Sequence, residues 1–587
     1  MRIFFLSKMV NKKWISIFNS ILVLFLKFNQ KPSITFNHHK MQKITLVLVV
    51  LFSQITFGYA KITETEKLAA TCKVWGFLKY YHPKVAGGEV NWDNQLLEKL
   101  PKIEKAQTKE EFSLILENWI DELGPIKEVA PIAIPKEIEF FDKNFDLSWF
   151  NAKLFSKKLS KKLKFIEENR FQGEQYYVGT MSGENVFVKN ENFKDFNYNE
   201  KNSRVIAAFM YWNLIEYFFP YKYVMDQNWD VTLQKMLPEL TEAKNEDDFF
   251  IAMKKLSVLL NDSHAIWFIY PKEKAINFFP AQGKIIDEKI IVTEIFADSL
   301  AKADDIKIGD IITKINGKTI NEIIAANRNL VNCSNEAAYL NYLAKSVLSG
   351  APDTVELEFQ KEGKAIKKTI NWYSYYISHS NENKKGVKKE KFKLLDNNIG
   401  YVNMGLLKVQ HVPSMISKLK SAKAIVFDMR NYPNATFEEV SNFLNAKEEP
   451  FALYAAPDLN YPGKYKWVGP HRSGKENPDY YKGKVVLLLN ENSESQAEWT
   501  AMCFQTAGNT TIVGSQTSGA DGNVTDLTII RGIHTRFSGI GVYYPDKRET
   551  QRIGIVPDIE VKPTIKGIQE GRDEVLDRAL VFIETGK

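Results

Sequence analysis

The stretch Val485-Val-Leu-Leu-Leu489 runs directly into Asn490-Glu-Asn-Ser-Glu-Ser495-Gln-Ala-Glu-Trp-Thr-Ala-Met502. Five consecutive apolar residues predict a strand that is buried on both faces, and the polar turn after it leads into a helical stretch. Apolar runs at 399–404 and 424–428 are likewise separated by helical stretches. This alternation predicts a largely parallel βαβ sheet within residues 392–587.

The polar turn after this strand offers hydroxyl groups at the start of a helix. There, free backbone N–H groups and the positive end of the helix dipole favour developing negative charge. A nucleophilic hydrolase needs such a hydroxyl, a base, a group that orients the base, and donors for an oxyanion. Ser495 is the candidate nucleophile, although Ser493 or Ser495 could also be an ordinary helix N-cap.

The formal net charge of +7 is concentrated in a leader region at residues 1–60. This region holds eight Lys or Arg and no Asp or Glu, which leaves 70 basic residues against 71 acidic ones in the rest. That balance gives no reason to expect a nucleic-acid partner. Segment 41–60 has the basic start, apolar middle and small final residues of a secretory signal peptide. We expect an exported, periplasmic or extracellular protein without stable membrane insertion after cleavage, while residues 1–40 are either an upstream extension or an anchor.

Three cysteines, Cys72, Cys333 and Cys503, are widely spaced along the chain. Their odd number and spacing predict buried free thiols rather than a disulfide framework or a metal site. We expect no cofactor and no metal.

Residues 61–270 have apolar positions at helical spacing and contain an internal repeat. A shift of 137 residues aligns tryptophans, prolines and an Asn-Trp-Asp motif: Trp75 with Trp212, Pro83 with Pro220, and Asn91-Trp-Asp93 with Asn228-Trp-Asp230. The offset predicts a duplicated helical unit at 68–124 and 205–261. Between the copies, we interpret the lysine-rich run 157–164 as part of a solvated linking region.

His264 follows the second helical unit, in Leu259-Leu-Asn-Asp-Ser-His264. A polar turn directly after an apolar helix is a suitable position for a base, and the first unit has Lys127 at the equivalent place. A structural histidine is the alternative. A third interpretation takes Asp262 and His264 as metal ligands, but no second His or Cys lies at ligand spacing.

Residues 279–372 predict a small β domain, with a strand at 289–295 and an Asn316-Gly317 hairpin turn. Four motifs then resemble, in order, the C-terminal (tail-specific) processing peptidases and their tricorn-like relatives, which are serine peptidases with an inserted PDZ domain. The motifs are Ala297–Gly317 for the PDZ core, Phe427-Asp-Met-Arg-Asn431, Asn490–Glu498 at the nucleophile, and Gly554-Ile-Val-Pro-Asp558. The resemblance implies a multidomain α+β protein with a helical N-terminal region, a PDZ-like domain and a ClpP/crotonase-like peptidase core.

One departure from the tail-specific pattern indicates which branch of these peptidases the sequence resembles. Those peptidases carry a lysine base about 25 residues after the nucleophile, and Ala520 stands at that place here. The resemblance to the tricorn-like branch implies Ser495 as nucleophile and His264 as base. Its third member falls by register on Gln551, so we choose Glu549, two residues earlier, with Glu498 as the alternative.

The backbone N–H groups of Gln496 and Asn434 are the predicted oxyanion donors. Relatives have Gly-Gly in the turn after Arg430, where Asn434 takes the first glycine's place and Pro433 cannot donate. We predict an exported serine endopeptidase that cleaves peptides or unfolded proteins through an acyl-enzyme. The alternative is a catalytically degenerate peptide-binding protein on the same scaffold. Substrate preference, oligomeric state and the PDZ-like domain's role, in binding C-termini or gating the site, stay open.

Overall fold

The computed structural model describes residues 62–191, 193, 195–269, 276–374, 390–530 and 533–587. The predicted leader at 1–60 lies outside these residues. Thr63–Lys587 form one unit. Within the described ranges, no helix combines the length and the apolar composition that crossing a membrane requires.

The N-terminal region contains two sets of helices with the same spacing along the chain. The first set is α1 (Glu64–Tyr81), α2 (Pro83–Ala86), α3 (Trp92–Lys105) and α4 (Lys109–Glu122). After α5 (Lys157–Glu168) come α6 (Lys201–Phe218), α7 (Trp229–Thr241) and α8 (Glu246–Val258). Helices α6, α7 and α8 begin 137 residues after α1, α3 and α4, which is the offset of the sequence repeat.

A reciprocal tryptophan pair joins the first two long helices of each set. The ring N–H groups of Trp75 and Trp92 donate to each other's backbone carbonyls. Trp212 and Trp229 make the same pair of bonds in the second set. All four rings are buried. The pairs explain why tryptophans carry the sequence repeat, because each ring both fills the core and fixes one helix on the next.

The lysine-rich run 157–164, which we interpreted as part of a solvated linking region, forms a helix with one buried face. It lies in α5, whose N-cap Ser156 accepts a hydrogen bond from the backbone of Leu159. Leu159, Leu163 and Ile166 form a buried stripe at helical spacing, while most of the lysines are exposed. Short strands in this half are β1 (Phe140–Phe141), β2 (Val178–Thr180), β3 (Val186–Val188) and β4 (Ile266–Ile269).

The PDZ-like domain is a β-sheet covered by helices over an isoleucine-rich core. Its strands are β5 (Asn277–Phe278), β6 (Ala281–Ile286), β7 (Lys289–Ile295), β8 (Ile311–Ile315), β9 (Lys318–Thr319), β10 (Ser349–Gly350), β11 (Thr354–Lys361), β12 (Lys364–Asn371) and β13 (Tyr373–Ser374). Its helices are α9 (Asp298–Ala303), α10 (Ile320–Ala326) and α11 (Glu336–Val347). The main sheet has the order β12-β11-β8-β7-β6. Asn316 and Gly317 form the predicted turn between β8 and β9, both with positive φ.

The C-terminal domain is built on a sheet with the order β14-β15-β16-β19-β20-β24. Its strands and their neighbours are β14 (Phe392–Leu395), β15 (Ile399–Asn403), β16 (Ala424–Asp428), β17 (Glu449–Pro457), β18 (Tyr465–Ser473), β19 (Lys484–Leu489), β20 (Thr510–Gly514), β21 (Val524–Ile530), β22 (Ile533–Ser538), β23 (Gly541–Tyr543) and β24 (Ile559–Glu560). Its helices are α12 (Val412–Leu419), α13 (Phe437–Leu444), α14 (Gln496–Gln505), α15 (Ile565–Gln569) and α16 (Glu574–Thr585). Strands β15, β16, β19, β20 and β24 are parallel, and β14 is antiparallel to β15.

Strand β19 is buried on both of its faces, as its apolar run predicts. Val485, Leu487 and Leu489 belong to the core that includes residues of α12, α13 and α14. Val486 and Leu488 belong to the core that includes residues of α16. Helices on both faces of a parallel sheet require a continuous apolar strand.

Strand β22 links the helical region to the C-terminal domain. It pairs with β21 on one side and with β4 on the other, both antiparallel. Since β4 begins at Ile266, two residues after His264, this pairing brings the turn that carries His264 into the C-terminal domain.

All three cysteines are free thiols, as predicted. Cys72 and Cys503 are buried, and Cys333 is partly buried. Burial raises the pKa of Cys503 and of Cys333 to about 11 and that of Cys72 well above its ordinary value.

Candidate active site

Ser495 has a backbone conformation that L-amino acids rarely adopt. Strand β19 ends at Leu489, and α14 begins directly after Ser495, whose φ is 55° and ψ is −114°. Such a conformation costs on the order of 1–3 kcal/mol, and strain of this kind collects at functional sites. A strained serine between a strand and a helix is also how α/β hydrolases expose a nucleophilic hydroxyl.

Ser493 has a structural role in the same turn. Its buried hydroxyl donates to the Met429 carbonyl at 2.7 Å and accepts from the Asn490 N–H at 3.1 Å. These bonds join the nucleophile turn to the segment that follows β16. Of the two serines, Ser495 therefore has the geometry of a nucleophile.

Glu498, the alternative third member, holds the backbone around Ser495. Its buried carboxylate accepts from the Ser495 N–H at 3.2 Å. It also accepts from the N–H groups of Gly519 at 2.8 Å and Ala520 at 3.0 Å, and from the Thr517 hydroxyl. Burial raises its pKa to about 7, although these donors work in the opposite direction. Glu498 thus fixes the nucleophile turn on the loop that follows β20.

Ala520 lies directly against the nucleophile turn. Its carbonyl accepts a second hydrogen bond from the Ser495 N–H, at 2.9 Å. The residue at the place of the tail-specific lysine is therefore beside Ser495, and its methyl side chain cannot take a proton.

His264 lies in a buried turn between α8 and β4. Its ring Nδ1 is 3.1 Å from the Ser538 hydroxyl at the end of β22. The Asp262 carboxylate accepts from the His264 N–H at 3.1 Å and from the Gln551 Nε2 at 3.1 Å. It accepts as well from the Ser538 N–H at 2.8 Å and from the Ser538 hydroxyl at 2.9 Å.

A single loop residue contacts both turns. The Ser518 N–H donates to the Ser493 carbonyl at 3.0 Å, and the Ser518 carbonyl accepts from the Ser263 hydroxyl at 3.1 Å. The nucleophile turn and the base turn therefore pack on the same loop. Among the hydrogen bonds of the described residues, none joins Ser495 directly to His264.

Glu549, the predicted third member, has a different partner. It follows β23, and its carboxylate is 3.4 Å from the Lys143 Nζ. Its side chain is 30% exposed. In the part of the chain that the structure describes, no hydrogen bond connects Glu549 to His264. The structure thus brings Asp262 and Ser538 to the base, with Gln551 bonded to Asp262, and it places Glu549 at the surface beside a lysine.

The two predicted oxyanion donors lie on turns that are joined by Ser493. Gln496 supplies the first N–H of α14, and no described hydrogen bond uses it. The Asn434 side chain donates to the carbonyls of Gly405 at 3.2 Å and Leu407 at 2.8 Å. These bonds fix the turn after Arg430, while the donor role of both N–H groups stays a prediction.

The metal-ligand interpretation of Asp262 and His264 gains no support. Within the described ranges, no three His, Cys, Asp or Glu side chains could hold a metal ion. Both Asp262 oxygens accept hydrogen bonds from protein donors, which is an environment for a carboxylate without a metal.

The sequence of residues 398–561 matches peptidase family S41, and residues 273–335 match the PDZ domain. We call the C-terminal domain, which contains the matched residues 398–561, the S41 domain. The chain is a serine-type peptidase, and the predicted multidomain α+β fold class is confirmed. No curated protein sequence matches the chain.

The chain is also similar to solved structures. Mature CPAF complexed with lactacystin is 12% identical with a TM-score of 0.52, and the match covers 65% of this chain and 98% of that one. The photosystem II D1 C-terminal processing protease is 13% identical with a TM-score of 0.38, over 64% of this chain and 98% of that one. At this identity the CPAF match shows the fold alone.

Two residues near the candidate site are not indicated by any of the sequence motifs. Ser538 contacts a histidine 274 residues away, and no motif surrounds it. Asp521, next to Ala520, is buried with one carboxylate oxygen unpaired among the described residues, and burial raises its pKa well above the ordinary value. Only the pairing of β22 with β4 could have identified Ser538.

Proposed function

We propose that the chain is an exported serine endopeptidase that cleaves peptides or unfolded proteins through an acyl-enzyme intermediate. The observation that carries this proposal is the strained Ser495 at the start of α14, beside a loop that also contacts the His264 turn. The match to peptidase family S41 supports peptide hydrolysis. The acyl-enzyme, the substrate class and export belong to the proposal.

In this mechanism, Ser495 attacks the peptide carbonyl while the His264 Nε2 accepts the hydroxyl proton. The imidazolium then gives this proton to the leaving amine, and water releases the acyl group by the same steps. The N–H groups of Gln496 and Asn434 would hold the oxyanion, and loss of one such donor raises the barrier by about 3 kcal/mol.

A fluorophosphonate probe for active-site serines tests the nucleophile. We expect the wild type to be labelled at Ser495, and Ser495→Ala to lose both labelling and cleavage of an unfolded polypeptide. Ser346→Ala, which changes an exposed serine on α11, is the matched control and should retain both. Cleavage by a folded Ser495→Ala variant would exclude the proposed nucleophile.

The alternative, a non-catalytic peptide-binding protein, is motivated by Gln551 and Asn434, which stand where relatives carry a glutamate and a glycine. A wild type that binds peptides but is neither labelled nor active would favour it.

The export proposal rests on residues 1–60 and has its own test. We expect the mature protein to begin near residue 61, as determined by mass spectrometry of its N-terminal peptide. Deletion of residues 41–60 should retain the protein in the cytoplasm. Export of a chain that keeps residues 41–60 would contradict cleavage of a signal peptide.

A further inference from the structure

A buried series of hydrogen bonds begins at the ring of His264, the proposed base. The His264 Nδ1 lies 3.1 Å from the Ser538 hydroxyl oxygen, and this oxygen lies 2.9 Å from the Asp262 carboxylate. Asp262 and Ser538 are fully buried, and His264 is nearly so. The three side chains come from the turn before β4 and from the last residue of β22, which are held together by strand pairing.

The donors around Asp262 determine which atom donates in each of these hydrogen bonds. Two backbone N–H groups, the Gln551 amide and the Ser538 hydroxyl all point to its oxygens. In its ionised form, Asp262 acts only as an acceptor for these donors. The Ser538 hydroxyl has one proton, which it donates to Asp262. The Ser538 oxygen therefore accepts the hydrogen bond from His264.

These donor and acceptor roles fix the tautomer of His264. If the Ser538 oxygen accepts, Nδ1 carries the ring proton, and the lone pair lies on Nε2. This is the tautomer that a serine nucleophile requires, because Nε2 must take the hydroxyl proton.

Within the described residues, the hydrogen bonds from the His264 ring lead to one carboxylate that can supply the negative charge for the imidazolium. Gln551 is neutral, its Nε2 is committed to Asp262, and its Oε1 is buried without a partner among the described residues. Glu549 pairs with Lys143 near the surface. Asp262 is the carboxylate that the chain of hydrogen bonds joins to the ring.

We propose that Ser538 and Asp262 together orient the His264 imidazole and stabilise its cation, in place of a directly bound glutamate. The proposal rests on the proposed role of His264 as base. When Nε2 takes the Ser495 proton, the Nδ1 proton stays on the ring and the Ser538 proton stays on the hydroxyl. The Asp262 charge acts through the polarised hydroxyl, and no proton reaches the carboxylate. Ser538 and Asp262 are thus positioning residues.

The same bonds also hold the turn before β4 in place, so the test must separate catalysis from folding. Ser538→Ala removes the hydroxyl, and Ser538→Thr keeps it. Thr535→Val is the matched control, because Thr535 is a buried β22 residue whose hydroxyl donates to the Ile266 carbonyl at 2.9 Å. Glu549→Gln tests the residue predicted from the sequence. The assays are kcat and KM on an unfolded polypeptide, the rate of fluorophosphonate labelling at Ser495, and the thermal unfolding midpoint.

We expect Ser538→Ala to lower kcat and the labelling rate on the order of 100-fold, with KM changed less than about twofold. Ser538→Thr should recover much of the rate. Thr535→Val should lower the unfolding midpoint as Ser538→Ala does, yet retain kcat. Glu549→Gln should retain kcat as well.

The proposal is overturned if a folded Ser538→Ala variant keeps the wild-type kcat and labelling rate. It is also overturned if Glu549→Gln lowers kcat while Ser538→Ala retains it, since the glutamate would then orient the base. A wild type that is neither labelled nor active would instead refute the proposed function, before any variant is compared.

Discussion

Ser495 combines a proposed reactive role with an unfavourable backbone conformation. Its φ of 55° is one that glycine adopts without a steric penalty, whereas a Cβ is crowded there. The strand-to-helix turn and the two acceptors of its N–H keep the residue in this conformation. At this position, stability and function therefore favour different residues.

A comparison of two inactive variants measures this strain. Ser495→Gly and Ser495→Ala both lose the hydroxyl, but only glycine relaxes the positive φ. We expect the free energy of unfolding of Ser495→Gly to exceed that of Ser495→Ala by about 1 kcal/mol. Urea unfolding curves with equal m-values give this difference. An alanine variant that is as stable as the glycine variant would show that the turn carries no strain.

Glu498 makes the stability of the protein depend on pH. Its pKa is raised by burial from 4.5 to about 7 in the folded chain, so the folded state binds this proton more tightly than the unfolded state. Its contribution to stability is complete below pH 4.5 and is lost as the pH rises through 7. The loss amounts to at most about 3 kcal/mol.

Unfolding at pH 5 and pH 8 tests this assignment. The free energy of unfolding should be lower at pH 8 than at pH 5 in the wild type. This difference should be smaller in Glu498→Gln, because an amide does not titrate. Glu438→Gln, on the exposed side of α13, should leave the decrease unchanged. An equal decrease in the wild type and in Glu498→Gln would exclude Glu498 as the titrating group.

At the scale of the elements, α1 and α6 pack through positions that are equivalent in the two helical units. Gly76 of α1 faces Asn213 of α6, and these residues are 137 apart. The Asn213 amide donates to the backbone carbonyls of Cys72 at 3.1 Å and Phe209 at 2.9 Å. A glycine on one helix therefore makes room for a buried amide that ties both helices together.

Gly76→Ala should destabilise the helical region although alanine favours helices. The added Cβ would lie 1.7 Å from the Asn213 Oδ1, so the amide must move and lose its bonds. We expect a loss of about 2–3 kcal/mol in the free energy of unfolding. In an Asn213→Ala background, the same substitution should cost less than about 1 kcal/mol. Equal costs in the two backgrounds would contradict the contact as the cause.

The elements with a strong local pattern could be predicted from the sequence. The run Val485–Leu489 indicated β19, and the paired tryptophans indicated the helical repeat, because burial imposes a local period on the residues. Helix α5 gives a weaker signal, because its five lysines outnumber its three buried apolar positions. Ser538 could not be found from any local pattern, because its contact with His264 depends on the pairing of strands from two distant segments.

At the scale of the whole molecule, three parts of the chain meet around the candidate site. The helical region supplies the turn with His264, and the S41 domain supplies Ser495. Ser334, just before α11, exchanges two hydrogen bonds with Ser263, at 2.8 and 2.9 Å. Asn335 donates to the Thr517 carbonyl at 2.9 Å. The PDZ-like domain therefore supports both the base turn and the loop behind the nucleophile.

Helix α11 extends this support to the nucleophile turn itself. The Tyr342 hydroxyl donates to the Glu494 carboxylate and lies 3.2 Å from the Ser518 hydroxyl. Asn341 donates to the Glu491 carbonyl at 3.2 Å. A hydrogen bond to a charged group contributes about 1.5 kcal/mol or more, so its loss should loosen the turn locally.

Tyr342→Phe tests whether the PDZ-like domain holds the nucleophile turn. We expect amide hydrogen exchange in residues 490–495 to become about tenfold faster, because opening of the turn would no longer break the Tyr342 bond. Tyr339→Phe is the matched control, since the Tyr339 hydroxyl on the same helix bonds to Ile324 inside the PDZ-like domain. It should leave exchange in the turn unchanged. If both variants alter the turn equally, α11 acts through the stability of its own domain, and if neither does, the S41 domain holds Ser495 without it.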